Sequence, residues 1–332
     1  MNTSSKMLFM MMTIMSTMMV LSSQDWLNMW IGMEINLMSF IPFMFKNKNN
    51  YLSQSSMMYF LMQSLASIIF IMMILLNNYM FIMKMNNWEM NVIMMTMMMK
   101  MGMPPFHMWF PEIMTKISWK LCMMLMTWQK VAPLYILSMI MENNLFMMSM
   151  TLLSTIIGAI MGLNHTSTRK IMAYSSINHM GWMVACMMMN KKMWMMYLIM
   201  YSVMVILTSM LMNKHNIMFI NQFNMTNMSM MEKTSLLIMM LSMGGMPPFL
   251  GFIPKWMTIK YMIMSNETLL LLMMMMASLV TMSYYMRMMS SMILMTSHSQ
   301  KWMININKNN KLTPSIMFIN MSLPMLIFMF NL

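Results

Sequence analysis

The stretch MMYFLMQSLASIIFIMMILL, residues 57–76, decides the fold class: it carries no charge and is apolar at odd and even positions alike. A helix rising about 1.5 Å per residue crosses a hydrocarbon core of roughly 30 Å in a run of this length. A membrane-barrel strand would be about ten residues long and would alternate apolar with polar positions. The stretch therefore predicts a helix with lipid as its solvent.

Working outward, similar runs recur with short polar gaps, at residues 3–21, 26–45, 91–108, 119–141, 146–163, 171–189, 194–212, 236–264, 269–289 and 314–332. The prediction is an all-α polytopic membrane protein of about eleven transmembrane helices. The 332 residues form one transmembrane domain, since no gap holds a separate soluble one. With 60% hydrophobic and 8% charged residues and a mean hydropathy of +0.61, an ordinary solvated surface cannot be built. Lys6, the apolar residues 7–20 and Ser22–Ser23 imitate a secretory signal. A second apolar segment follows at once, so they read as the first span.

Charge is sided. Lys6, Lys46, Lys48, Lys116, Arg169, Lys170, Lys214, Lys233, Arg287, Lys301, Lys308 and Lys311 fall on one side of the predicted bundle, against Lys84, Lys191 and Lys192 on the other. The positive-inside rule puts the N-terminus inside and the C-terminus outside. The net charge of +13 then reflects topology and anionic headgroups, and no nucleic-acid partner is expected. Cys122 and Cys186 are the only cysteines, too far apart in sequence for a close-spaced ligand pair, and no metal site is predicted. There is no Gly-x-Gly-x-x-Gly turn and no P-loop, so nucleotide or flavin chemistry is not expected of this chain. The 79 methionines fit an AT-rich organellar genome that reads AUA as Met.

A short motif occurs twice, Gly102-Met103-Pro104-Pro105-Phe106 and Gly245-Met246-Pro247-Pro248-Phe249. Glycine and paired prolines remove backbone donors and break a helix. In a membrane, such a break is tolerated where freed carbonyls face protein or a wet cavity. Two breaks suggest two inverted repeats with a broken helix in each, at about 3–141 and about 146–292, followed by a C-terminal helix at about 314–332. Two unrelated loops at helix ends are the plainer alternative.

Near the breaks lie costly residues: Glu34 in the second span, Lys100 before the first proline pair, Lys130 central in 119–141, and Lys255 after the second pair. A charge at mid-membrane costs at least about 2.5–3.5 kcal/mol on insertion scales, so each should face the bundle interior. Desolvation favours the neutral form of a lysine or a carboxylic acid, and an opposite charge nearby restores the charged form. At about 4 Å and an effective dielectric of about 20 that attraction is roughly 4 kcal/mol, enough to toggle a proton. The plainer reading is a buried ion pair that pins helices, or a lysine that snorkels, which is expected of Lys120 and Lys260. His179, among Ser175, Ser176 and Asn178, either extends a hydrogen-bonded chain or is a satisfied core histidine. His107, His165, His215 and His298 read as loop or interface residues.

Residues 32–42 (GMEINLMSFIP), 127–133 (TWQKVAP) and 244–256 (GGMPPFLGFIPKW) closely resemble the NADH dehydrogenase subunit 2 family of animal mitochondria, antiporter-like membrane-arm subunits of respiratory complex I. The resemblance extends over 100–111 and 169–182. It implies two inverted five-helix repeats in the mitochondrial inner membrane, with the N-terminus on the matrix side and the C-terminus on the intermembrane side. It implies a paired charge of Glu34 and Lys100, a central relay at Lys130 and an exit-side residue at Lys255. It also implies that NAD, FMN, iron–sulfur clusters and ubiquinone belong to partner subunits, with no cofactor in this chain. The partners it implies are other complex I subunits, especially neighbouring antiporter-like ones, together with phospholipids. Two other readings stand beside proton translocation: a free-standing cation/proton antiporter, and a structural spacer of the arm.

Overall fold

The computed structural model describes residues 3–45, 50–79, 87–141, 144–225 and 228–294, with Pro314, Met317 and Asn320. Among them the regular secondary structure is helix, joined by turns, apart from one isolated bridge between Ser167 and Phe219. Helices Ser4–Ser22, Asn50–Leu76, Leu145–Leu163, Met193–Lys214 and Thr268–Met292 are long and apolar enough to cross a membrane. The protein is a multi-pass, all-helical membrane protein.

The deciding stretch lies in α3 (Asn50–Tyr79). Met57, Leu61, Leu65, Ile68 and Met72 are exposed along one face, while Tyr59, Gln63, Ala66, Phe70 and Met73 are buried along the other. Both faces follow the 3.6-residue period, yet the outer one is as apolar as the core. Lipid accounts for that outer face.

The chain divides into two compact units, Met1–Met150 and Thr151–Leu332. The first holds α1 (Thr3–Ser22), α2 (Trp26–Met44), α3, α4 (Asn87–Met101), α5 (Trp109–Lys116), α6 (Trp119–Met126) and α7 (Trp128–Ile140). Here α2 packs on α1 and α3, α4 packs on α3 and α7, and α5 rests on α3. Helix α8 (Leu145–Leu163) carries the boundary. The second unit continues with α9 (Thr168–Met189), α10 (Met193–Lys214), α11 (Gln222–Met225), α12 (Met230–Gly244), α13 (Phe252–Met264) and α14 (Thr268–Leu294). In it α9 contacts α10, α13 and α14, and α12 lies between α10 and α14. Small residues permit close approach of α8 and α9: a Cβ on Gly158 would come within 2.7 Å of the Asn178 amide, and one on Gly181 within 2.4 Å of the Ser154 hydroxyl.

Three predicted spans end or divide differently, each for a reason in the backbone. The span at 91–108 stops at Met101, because Gly102 takes φ +70° and Pro104 and Pro105 cannot donate. The single helix predicted at 119–141 is two, α6 and α7, meeting at Thr127. Pro133 lies inside α7 and has no N–H to give the carbonyl of Gln129, four residues earlier. The span at 236–264 is likewise two helices, since Gly245 ends α12 in the left-handed conformation at φ +83° and accepts the chain reversal. The short α5 and α11 have no counterpart among the predicted spans. The span at 314–332 falls outside the described residues except for Pro314, Met317 and Asn320.

Candidate functional site

In the first unit Lys100 and Lys130 come to one cavity. Lys100 stands in the last turn of α4, where a cation suits the negative end of the helix dipole. Its carbonyl would bond to the amide four residues on, but that residue is Pro104. Gln63 of α3 donates instead, Nε2 to O at 2.9 Å. Lys130 stands in the first turn of α7, just past the Thr127 break, with its ammonium 5.2 Å from the centre of the Phe110 ring. Both lysines are buried.

Tyr59, Lys100, Trp109, Gln129 and Lys130 line one small cavity, and Asn36, Tyr59, Gln63, Lys100 and Gln129 are among those lining a second. Each offers space for a water centre of about 10 to 20 Å³, room for about one molecule. The two share Tyr59, Lys100 and Gln129, so the polar seam is continuous along these side chains. Asn36 Nδ2 donates to Gln129 Oε1 at 3.0 Å and Gln129 Nε2 to Asn36 Oδ1 at 3.1 Å. Tyr59 Oη donates to the same Gln129 oxygen at 3.4 Å.

Glu34 is half-buried on α2 and close enough to Lys100 for their charges to interact, but no ion pair joins them. The Lys100 ammonium instead meets Met33 Sδ at 3.6 Å. The state described is one in which the carboxylate and the lysine stand apart.

In the second unit Lys255 is buried on α13 and turns back over the preceding break. Its Nζ donates to the Gly244 carbonyl at 2.7 Å and lies 5.8 Å from the centre of the Trp182 ring. His179, one turn before Trp182 on α9, is buried, with Nδ1 at 3.1 Å from Tyr197 Oη and its ring 5.0 Å from that of Tyr201.

Other histidines have bland settings. His107 lies in the turn between α4 and α5, though buried rather than interfacial. His165 stacks on Tyr174 at 5.2 Å, and His298 is outside the described residues. His215 approaches Glu232 at 3.4 Å, and Lys214 pairs with the same carboxylate. Lys120 and Lys260 are exposed, as snorkelling side chains would be.

The sequence reading gave no part to Tyr59, Gln63, Asn36 or Gln129. A signal was present: Gln63 is an isolated amide within an uncharged run, and Asn36 and Gln129 sit beside Glu34 and Lys130. Which amides would meet depended on helix rotation.

Residues 23–281 match the family model for the transmembrane part of NADH:quinone oxidoreductase/Mrp antiporter subunits. NADH-ubiquinone oxidoreductase chain 2 of Anopheles gambiae is 40% identical over 320 residues, covering 94% of this chain and 93% of that one. The protein of the same name from Sus scrofa is 39% identical over 333 residues, covering 95% of each. The fold also resembles a chain in the structure of respiratory complex I from Thermus thermophilus with bound aureothin, with a TM-score of 0.78 at 18% identity over 87% of this chain and 70% of that one. With buried lysines in apolar helices and this similarity over nearly its whole length, the chain belongs to the NADH-ubiquinone oxidoreductase chain 2 family of antiporter-like membrane subunits.

Proposed function

We propose that this chain translocates protons across the mitochondrial inner membrane as a subunit of NADH:ubiquinone oxidoreductase, complex I. The observation that carries the reading is the shared cavity of Lys100 and Lys130, lined by Tyr59 and Gln129 and large enough for water. A lysine without bulk solvent exchanges its proton only with a group or water it can reach, and both lysines line a cavity with room for about one water. Lys130 is the central relay. Glu34 tunes Lys100: closing on the lysine favours the ammonium, and drawing away favours release of its proton toward the seam. Lys255 serves the second unit, in which His179 and Tyr197 form a hydrogen-bonded pair one turn from Trp182.

In this reading the breaks at Gly102 and Gly245 are the broken helices of two inverted repeats, at about 3–141 and about 146–292, within one transmembrane domain. The N-terminus faces the matrix and the C-terminus the intermembrane side, which agrees with the side bearing most lysines. NAD, FMN, iron–sulfur clusters and ubiquinone act in partner subunits, and this chain receives their energy through charge shifts in neighbouring antiporter-like subunits.

The test is Lys130→Met in the assembled complex, with assembly checked by blue-native electrophoresis and activity by NADH-driven proton pumping. A relay predicts loss of pumping or of coupled turnover in a complex that still assembles. Unchanged pumping would make the chain a spacer of the membrane arm.

A further inference from the structure

We infer that Trp182 and Gly245 are positioning residues that hold the Lys255 ammonium against the last carbonyl of α12, Trp182 through the face of its indole and Gly245 by lacking a Cβ. The inference rests on the reading of Lys255 as a proton-carrying residue and names what fixes its place.

Trp182 is fully buried, and its indole N–H finds no protein acceptor. Trp30, Trp109 and Trp128 share that orphan, so the unmade bond alone assigns Trp182 no role. A purely apolar residue would fill the same space without that orphan. What the indole adds is a ring face, and Lys255 Nζ lies over it at 5.8 Å, within the range at which tryptophan, the strongest of the aromatic rings in this respect, attracts a cation.

On its other side the same nitrogen donates to Gly244 O at 2.7 Å, at the end of α12 where the helix dipole is negative. Gly245 lies between. A Cβ built there would come within 2.8 Å of Lys255 Cδ and 2.9 Å of Nζ, so the lysine occupies the volume that any other residue would fill. Glycine at this position therefore answers two demands, the φ of +83° that ends the helix and the room that lets the side chain fold back.

The three contacts come from α9, α12 and the turn between α12 and α13. Two of them, the ring face and the helix C-terminus, suit a cation, and the third supplies the room. The site therefore holds the amine in one place, which is what a station on a relay requires. Lys130 uses the same kind of contact with Phe110 in the first unit, at 5.2 Å.

The experiment uses the complex assembled in its membrane, with NADH-driven proton pumping per NADH oxidised as the readout and blue-native electrophoresis as the check on assembly. Lys255→Met is the reference variant. Trp182→Tyr keeps an aromatic face, and Trp182→Met keeps bulk without one. The expected result is a severalfold fall in the pumping ratio for Lys255→Met and Trp182→Met, with Trp182→Tyr largely restoring it. Gly245→Asn supplies an independent arm, because asparagine tolerates positive φ but brings a Cβ. It should assemble and still lose pumping.

If Lys255→Met fails to pump while Trp182→Met and Gly245→Asn pump normally, the positioning role is overturned and the relay reading survives. Normal pumping by Lys255→Met would remove the reading beneath it as well. Should Trp182→Met not assemble, normal pumping by Gly245→Asn alone overturns the inference.

Discussion

Asn36 and Gln129 exchange two side-chain hydrogen bonds, at 3.0 and 3.1 Å, closing an amide pair between α2 and α7 beside the cavity that Lys100 and Lys130 share. The pair satisfies two amides in an apolar setting and fixes the rotation of α7, and with it the direction of Lys130, one residue along. Gln129 Oε1 also accepts from Tyr59, so one oxygen ties three helices to the seam.

Replacing one partner strands the other. Asn36→Leu or Gln129→Leu should each lower the stability of the complex by about 1–3 kcal/mol, the cost of an unmade buried polar group. The double variant should cost less than the sum of the singles, because neither amide is left alone. Thermal inactivation of the detergent-solubilised complex measures this, and strictly additive losses would rule out the pair as a unit.

Pro133, inside α7, withholds an N–H from the Gln129 carbonyl, just past the junction with α6 at Thr127. Pro133→Ala should restore that bond and straighten the helix, relieving part of the roughly 3 kcal/mol a proline costs inside one. Pumping should nevertheless fall, because Lys130 turns away from its cavity. A variant that assembles with undiminished pumping would show that the break has no part in placing the lysine.

Gly102 ends α4 at φ +70°, and a Cβ there would come within 2.9 Å of Phe110 Cβ. Gly102→Ala should therefore destabilise through both the left-handed backbone, about 1–2 kcal/mol, and displacement of the ring beneath Lys130. The expected outcome is reduced assembly on blue-native gels together with a lower pumping ratio in the complex that remains. Wild-type levels of both would contradict it.

At the loop end of the second unit, Ser229 and Glu232 form a capping box at the start of α12, and Glu232 also holds Lys214 and His215. Burial opposes the charge on Glu232, but hydrogen bonds from Lys214 and the Ser229 amide, with the charges of His215 and Lys214, bring its carboxyl below the usual range. Burial, with Lys214 adding to it, likewise pulls His215 below the usual imidazole value despite Glu232. Both groups therefore take up protons more readily in the unfolded segment. Their contribution is full above about pH 6.5 and is lost on acidification, first through His215 and then through Glu232. Hydrogen exchange of amides 213–217 and 229–235, corrected for intrinsic rates, should be faster at about pH 5 than at about pH 7.5. His215→Gln should remove most of that dependence, because Glu232 takes up its proton below this range, and a pH-independent protection would refute the linkage.

Much of this was legible before any coordinates. The run at 57–76 fixed helix and lipid together, because length and apolarity on both faces are local properties that add along the chain. The burial of Lys100, Lys130 and Lys255 was expected from their positions in such runs, and the two Gly-Met-Pro-Pro-Phe motifs announced interruptions, since missing donors need no tertiary contact to break a helix. The break at Thr127 was less visible, because the apolar run around it looks continuous and Pro133 lies six residues further on.

The tertiary structure alone decided which side chains meet. Whether Gln63 caps the Lys100 carbonyl, whether Asn36 finds Gln129, and whether Lys255 reaches back to Gly244 depend on the rotation of each helix about its axis and on the turns between them. With the lipid-facing and core-facing sides of α3 equally apolar, the sequence carries no amphipathic marker from which that rotation could be read. Packing supplies it, by bringing together the few polar groups that have no solvent to turn to.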